Sequence, residues 1–200
     1  MTHYIYLVRH GEHQDAEHGL EDGPLSPRGV RQAGLLADRL SGVPFDAVWH
    51  SPLPRAVRSA EVLGAQLPGV QVRPADELAD HVPYLPDPVP PGWEGFFDDE
   101  DRAEAAEGAR LAAALIARFA RPAATETHEV LVTHAFQVAW LVRDALAAPP
   151  ESWLGMPYGN ASLTTLEYRD DRGASLILAN DLGHLPSELR WTGFGPAARP

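Results

Sequence analysis

Blocks of apolar positions follow one another along the chain with two different spacings, one typical of strands and one typical of helices. Apolar runs of strand length occur at 3–8, 45–50, about 70–73, 129–134, 162–168 and 174–179. Helical spacing occurs at 27–40, 52–66, 101–121 and 135–147. Strands that alternate with helices predict a mostly parallel central sheet covered on both faces. We therefore expect a three-layer α/β/α fold, with one domain over residues 1–200.

Two of the predicted helices have clear boundary signals. The first begins after Ser26, a favoured N-cap residue, with Pro27 in its first turn and Val30 at the start of its predicted buried face. The third helix begins at Asp101, whose charge suits a helix N-terminus, and ends before Pro122. These signals predict helices of different lengths on the two sides of a long connection.

That connection, residues 82–98, is too rich in proline and glycine to form regular structure. Trp93, Phe96 and Phe97 lie within it. Long loops in compact domains often face a substrate, so we interpret the segment as a specificity loop. A surface crossover held in place by its aromatic side chains is the alternative.

Composition narrows the function classes. The chain has 200 residues, 44% of them apolar, which is enough for one sizeable core. The net charge of −12 argues against general binding to nucleic acid or to anionic membranes. No stretch has the length and apolar character of a membrane span, and a strand begins too early to leave room for a signal peptide, so a cytoplasmic protein is expected.

The choice of charged residues limits the chemistry further. Cysteine is absent, which excludes disulfides and thiolate sites, and all 16 basic residues are arginine. A phosphate clamp in this chain must therefore consist of guanidinium or imidazole groups, and guanidinium pairs well with phosphate oxygens. The chain has no glycine-rich phosphate loop followed by lysine, and its histidines lack metal-ligand spacing, so no nucleotide or metal cofactor is expected.

Candidate phosphate-binding residues follow the predicted strands. Arg9, His10 and Gly11 come directly after the first apolar run, and His134 follows the fourth in the same way. Arg55 begins the helix after the second strand, where a guanidinium adds its charge to the free N–H groups of the helix. Parallel sheets bind ligands at the carboxyl ends of their strands, which predicts that these groups meet in one phosphate site.

These residues and several further segments resemble the histidine phosphatase superfamily, also called phosphoglycerate-mutase-like. The matching segments are Arg9-His10-Gly11, Leu25-Ser26-Pro27-Arg28-Gly29, Ser51-Pro52-Leu53-Pro54-Arg55-Ala56, His134, 149–154, Asn160-Ala161-Ser162 and 180–186. The similarity covers nearly the whole chain and is strongest to the branch that contains the mitochondrial serine/threonine protein phosphatase. It implies the phosphoglycerate-mutase-like fold.

The resemblance also implies a mechanism. His10 would attack phosphorus to form a phosphohistidine that water then hydrolyses, while Arg9, Arg55 and His134 would surround the transferring phosphoryl group and neutralise its charge. The candidate substrate-binding residues are Gly11, Gln14, Arg58, His81 and Ala135. For Gln14 the alternative is a polar loop that is simply solvated, and Arg58, one helical turn after Arg55, faces either the pocket or solvent. The expected substrate is a phosphorylated small molecule or a phosphoprotein.

In this superfamily a carboxylic acid after the third strand usually protonates the leaving oxygen. The related phosphatase branch has glutamate followed by glycine where this chain has Asp80 and His81. Asp80 is the first candidate, His81 is an alternative or a support, and Glu77 is the third choice. An aspartic acid in this role needs its pKa raised by burial or by nearby carboxylates.

The charge of the predicted covering segment separates the possible reactions. Residues 74–101 contain no arginine and many carboxylates, which would repel a bisphosphate. This pattern favours a phosphatase over a phosphoglycerate-mutase-type phosphotransferase. A non-catalytic phosphate-binding scaffold is the third reading, supported by the altered pair Asp80 and His81. A homodimer through an edge strand or a helix face is left open.

Overall fold

The computed structural model describes residues 1–14 and 23–194. Within them, six strands form one sheet: β1 (Thr2–Arg9), β2 (Ala47–His50), β3 (Gln71–Pro74), β4 (Thr127–Thr133), β5 (Leu163–Arg169) and β6 (Gly173–Asp181). The α-helices are α1 (Pro27–Leu40), α2 (Pro54–Gly64), α3 (Arg102–Phe119) and α4 (Ala135–Ala145). Short 3-10 turns lie at Asp76–Leu78, Pro150–Gly155 and Ser187–Leu189.

The sheet is mostly parallel, as the sequence predicts. Its strand order is β3-β2-β4-β1-β5-β6, with parallel pairing from β3 to β1 and antiparallel pairing of β5 and β6. The carboxyl ends of β2, β4 and β1 therefore lie side by side. The His10 N–H donates to the Thr133 carbonyl at 2.9 Å, and the Ser51 N–H donates to the Val132 carbonyl at 2.9 Å. This edge brings the ends of three strands together.

Each face of the sheet packs against a pair of helices. Alternate side chains of a strand point to opposite faces, so Leu131 of β4 joins the core beneath α3 and α4, whereas Val130 and Val132 join the core beneath α1 and α2. All three side chains are fully buried. The arrangement is the predicted α/β/α layering, and it holds the carboxyl edge of the sheet rigidly.

The structure confirms the predicted N-terminal signals of α1 and α3. Ser26 caps α1 by accepting the Gly29 N–H, and Asp101 forms a capping box with Glu104 at the start of α3. The prediction that Val30 is buried is wrong, because this side chain is 36% exposed. The helices α2 and α4 are shorter at their ends than the predicted 52–66 and 135–147.

Two glycines allow the loop after β1 to lie against the start of α1. A Cβ atom on Gly11 would lie 2.6 Å from the Gly29 carbonyl oxygen, and one on Gly29 would lie 2.0 Å from the Glu12 carbonyl oxygen. Real side chains cannot tolerate such distances to backbone atoms. The close approach explains why both motifs contain glycine, and it fixes the backbone next to His10.

The predicted irregular segment, 82–98, contains turns and no helix or strand. Its aromatic side chains Trp93 and Phe97 pack against the core beneath α3 and α4. No helix in the described ranges, 1–14 and 23–194, has the length and apolar character needed to span a membrane.

Candidate active site

His10 lies at the carboxyl end of β1 and is only 3% exposed. Its Nδ1 donates to the Gly11 carbonyl at 2.7 Å, since a carbonyl can only accept. Its Nε2 accepts a hydrogen bond from the Arg55 Nε at 3.2 Å and so carries a lone pair. Burial, followed by the neighbouring His134 and Arg9, lowers the pKa of His10 well below its usual value. The ring is therefore neutral, with Nε2 available as a nucleophile.

Arg55 connects this nucleophile with a carboxyl group. It lies in the first turn of α2 and is 4% exposed. While its Nε donates to His10, its Nη2 donates to an Asp80 oxygen at 2.8 Å. One turn further along α2, the Ser59 hydroxyl donates to the Arg55 carbonyl and accepts the Gly11 N–H at 3.0 Å. The guanidinium is thus held between the His10 imidazole and the Asp80 carboxyl group.

Asp80 follows the 3-10 turn after β3, with 37% of its side chain exposed. Its Oδ2 accepts from Arg55 and lies 3.4 Å from the His134 Nδ1. Although its side chain is partly exposed, the surrounding protein desolvates the carboxyl group and raises the pKa of Asp80, and this effect exceeds the opposing effect of the Arg55 charge. A carboxyl group with a raised pKa, in contact with the arginine that contacts the nucleophile, is well placed to hold and release a proton.

His134 lies at the end of β4 and faces His10, with 5.0 Å between the ring centroids. The Ser51 hydroxyl accepts the Leu53 N–H and donates to the His134 Nε2 at 2.8 Å. Because Nε2 accepts this hydrogen bond, the proton of the neutral ring lies on Nδ1, 3.4 Å from the Asp80 Oδ2. Burial, then the charges of Arg55 and Arg9, lower the pKa of His134 well below its usual value. His134 is therefore a neutral donor directed into the site.

Arg9 completes the positive side of the site. Its guanidinium donates to the Tyr158 carbonyl, and its charge acts on His10, His134 and Asp80. Burial lowers the pKa of Arg9 to about 10, which still leaves it charged at neutral pH. The four residues Arg9, His10, Arg55 and His134 thus come together as predicted from the strand ends.

A chain of buried hydrogen bonds supports the backbone of His10 and was not predicted. The Asn160 Nδ2 donates to the His10 carbonyl at 3.2 Å, and the Thr192 hydroxyl donates to the Asn160 Oδ1. The Gln32 Nε2 then donates to the Thr192 hydroxyl at 2.8 Å. Asn160 belongs to a segment that carried the family resemblance, but no local pattern marks Gln32 or Thr192.

Two candidate residues lie away from the site. Glu77, the third choice for the proton donor, forms an ion pair with Arg118 at 2.6 Å. Arg58, a predicted substrate-binding residue, is exposed and pairs with Glu61 at 2.8 Å. Both have charged partners of their own and neither is brought towards His10, so the structure does not support the roles predicted for them.

The other predicted substrate-binding positions differ in placement. Gly11 lies in the site through its backbone, and Ala135 is the first residue of α4, directly after His134. Gln14 is exposed, and its backbone N–H donates to the Pro24 carbonyl at 2.8 Å. The ring of His13 lies 5.7 Å from that of His10.

His81 plays a different part from Asp80. Its carbonyl accepts a hydrogen bond from the Gln137 Nε2 at 2.9 Å, and both nitrogens of its ring are buried. Burial lowers the pKa of His81. Asp80 therefore has the contacts that a proton donor needs, and His81 contributes a fixed backbone.

In the part of the chain that the structure describes, no group of three or more His, Cys, Asp or Glu side chains is arranged to hold a metal ion. His50 bonds to the Ser51 carbonyl, His128 stacks on Tyr4, and His184 bonds to the Ala161 carbonyl. His18 lies outside the described residues.

A model of the histidine phosphatase superfamily, branch 1, matches residues 5–82 and 87–181. The chain belongs to the histidine phosphatase superfamily. The segments that carried the resemblance from Arg9 to Ser162 fall within the matched ranges, and the segment 180–186 falls within them only up to Asp181.

Curated relatives agree with the branch that the sequence indicates. The serine/threonine-protein phosphatase PGAM5, mitochondrial, of Rattus norvegicus is 31% identical over 196 residues, covering 94% of this chain and 65% of that protein. Its counterpart in Caenorhabditis briggsae is 33% identical over 193 residues, covering 94% and 66%. The chain thus spans a little under two thirds of the length of these relatives.

The solved structure of the α-ribazole phosphatase from Shigella flexneri has the same fold, with a TM-score of 0.68 at 22% identity. The match covers 89% of this chain and 96% of that one. It confirms the predicted phosphoglycerate-mutase-like architecture.

The predicted cytoplasmic location is wrong, because the curated relatives are named as mitochondrial proteins.

Proposed function

We propose that this member of the superfamily is a metal-independent phosphatase that hydrolyses phosphate monoesters, small or protein-borne, through a phosphohistidine on His10. One observation carries the proposal: the unprotonated Nε2 of His10 accepts from Arg55, and the same guanidinium binds the carboxyl group of Asp80. The relatives named as serine/threonine-protein phosphatases support the same class of reaction.

In the first step, the His10 Nε2 attacks phosphorus and a nitrogen–phosphorus bond forms as the bond to the ester oxygen breaks. Arg9, Arg55 and the Nδ1–H of His134 bind the equatorial oxygens, where charge spreads during transfer. The protonated Asp80 gives its proton to the leaving oxygen. The products of this step are the free alcohol and phosphohistidine.

In the second step, a water molecule occupies the place of the departed alcohol. The Asp80 carboxylate takes a proton from this water as its oxygen attacks phosphorus. The bond between Nε2 and phosphorus breaks, so phosphate leaves and both His10 and Asp80 return to their starting protonation states. Protons and electron pairs balance over the two steps, and no reactant other than the ester and water is needed.

The intermediate offers a direct test. Rapid mixing with a radiolabelled monoester in excess chelator, followed by an alkaline quench, should trap the label on His10, because phosphohistidine survives alkali and is lost in acid. Peptide mapping locates the label. An acid-stable phosphoenzyme, labelling of another residue, or a requirement for an added divalent cation would contradict the proposal.

Asp80→Asn should lower kcat/KM for alkyl phosphates by about 10²–10³, since the leaving alkoxide then lacks its general acid. For p-nitrophenyl phosphate the loss should be much smaller, because nitrophenolate leaves without a proton. The wild-type rate on the alkyl ester should fall as pH rises through the raised pKa of Asp80, and this alkaline limb should be absent in the variant. Steady-state pH profiles on both esters measure this.

Glu77→Gln is the matched control, as it removes the other nearby carboxylate candidate, which is bound to Arg118. It should retain the alkaline limb. If Glu77→Gln removes that limb while Asp80→Asn keeps it, the proton donor is Glu77 and the assignment to Asp80 is wrong.

A further inference from the structure

A cavity of about 270 Å³ lies directly beside the phosphate site. Arg9 and Ala135, the neighbours of His10 and His134 in the chain, are among its lining residues. Its wall is largely made by the side chains of Trp93, Phe96, Phe136, Trp153, Met156 and Phe194, a group that we call the aromatic cleft. A phosphate held on Arg9 would therefore direct its ester substituent towards these side chains.

The lining of the cleft carries little charge. Among the described residues that line it, only Arg9 carries a charge, and this guanidinium is part of the proposed phosphate site. A substrate with a second phosphate or a carboxylate would place that anion next to apolar side chains with no cation to pair it, which is unfavourable. Apolar surface in the same place would gain from removal of water.

The size and the geometry of the rings suit an aromatic group. A cavity of about 150 Å³ can hold a benzene ring, so the cleft has room for one ring and a short linker. The Phe136 and Trp153 rings lie edge to face with centroids 4.8 Å apart, and Phe96 meets Phe136 at 6.1 Å. Phe96 is 45% exposed, and a ligand in the cleft would cover it.

We infer that the aromatic cleft selects small phosphate monoesters whose leaving alcohol carries one uncharged, apolar group of about the size of a phenyl ring, and disfavours esters with a second anionic group. This inference rests on the proposed function, because it places the leaving alcohol of the same reaction. It adds a preference that the superfamily motifs around His10 do not specify.

Binding can be tested separately from turnover with phosphonates, which are not hydrolysed. Calorimetry on the full chain should give at least about tenfold tighter binding of 2-phenylethylphosphonate than of methylphosphonate, as expected for burial of a phenyl ring. The anionic 2-carboxyethylphosphonate should bind no tighter than methylphosphonate. Equal affinities for the three compounds, or tightest binding of the carboxylate, would overturn the inference.

Turnover then separates the two proposals. The enzyme should hydrolyse 2-phenylethyl phosphate with at least about tenfold higher kcat/KM than O-phosphoserine. Both esters release a primary alcohol, so the comparison reports the effect of the substituent. Similar rates on both esters would refute the cleft preference and retain the phosphatase. Tight binding of the phenyl phosphonate without hydrolysis of any ester would refute the phosphatase and retain the cleft. Faster hydrolysis of a phosphoserine peptide than of 2-phenylethyl phosphate would overturn the small-ester preference.

Two variants of the same irregular segment provide a matched pair. Phe96 lines the cleft, whereas Leu85 does not, and the two side chains are 45% and 40% exposed. Phe96→Ala should reduce the ratio of affinities for the phenyl and methyl phosphonates by about fivefold, since part of the wall is lost. Leu85→Ala should leave this ratio unchanged. An unchanged ratio in Phe96→Ala, or an equal fall in Leu85→Ala, would contradict a role for the cleft.

Discussion

His10→Ala is expected to reduce the metal-free hydrolysis of p-nitrophenyl phosphate by at least about 10⁴-fold, because loss of a nucleophile is among the largest single effects in enzymes. The Nε2 of His10 is the atom that would receive the phosphoryl group, and it already lies against the Arg55 guanidinium. Without this nitrogen, Arg9, Arg55 and His134 can still bind phosphate, but no phosphohistidine can form at position 10.

Rates in excess chelator over a range of pH measure this effect. His128→Ala is the matched control: this histidine lies near the opposite end of the sheet, where its ring stacks on Tyr4 with centroids 4.8 Å apart. We expect near wild-type rates from it. Phosphate binding by His10→Ala, measured by calorimetry, should persist and would show an intact site. Retention of turnover in His10→Ala would exclude a phosphohistidine intermediate on His10.

The meeting of Arg9, His10, Arg55 and His134 could be predicted from sequence because it depends on a general property of parallel sheets. Strands that run in the same direction end at the same edge, so His10 after β1 and His134 after β4 had to approach one another once β1 and β4 paired. Arg55 joined them because its helix follows β2, the other neighbour of β4. None of these placements required knowledge of side-chain packing.

The position of the candidate proton donor was harder to predict because Asp80 follows an irregular turn. Asp80 and Glu77 are three residues apart, and the 3-10 turn at Asp76–Leu78 lies between β3 and the site. This turn directs Glu77 to Arg118 and leaves Asp80 facing Arg55. Sequence spacing alone does not indicate which way a single turn directs each carboxylate.

The faces of α1 and α2 were harder to assign from the sequence. Gln32 is fully buried in α1 because its amide bonds to backbone and side-chain groups, whereas the apolar Val30 is exposed. Arg58 lies one turn from Arg55 on α2, yet its partner is the exposed Glu61. Hydrophobic periodicity assigns every polar residue to the surface. It therefore cannot predict a buried amide whose hydrogen bonds are all made within the protein.

Arg55→Lys should lower kcat/KM by about 10³-fold, within the range for arginines that stabilise phosphoryl transfer. The two contacts of Arg55 use different nitrogen atoms of one planar group, one to His10 and one to Asp80. A lysine ammonium is a single point charge and cannot hold both partners in this geometry. Arg58→Lys, on the same helix, should remain within about twofold of wild type, as expected for an exposed ion pair.

Arg55→Met separates the charge of this group from its shape. The positive charge of Arg55 lowers the pKa of both His10 and Asp80, so its removal should raise both pKa values. His10 must be deprotonated and Asp80 protonated for the first step, and therefore the acid and alkaline limbs of the pH profile should both move to higher pH. Arg55→Lys keeps the charge and should leave the limbs in place. A profile that moves equally in the two variants, or in neither, would mean that Arg55 does not set the protonation of this pair.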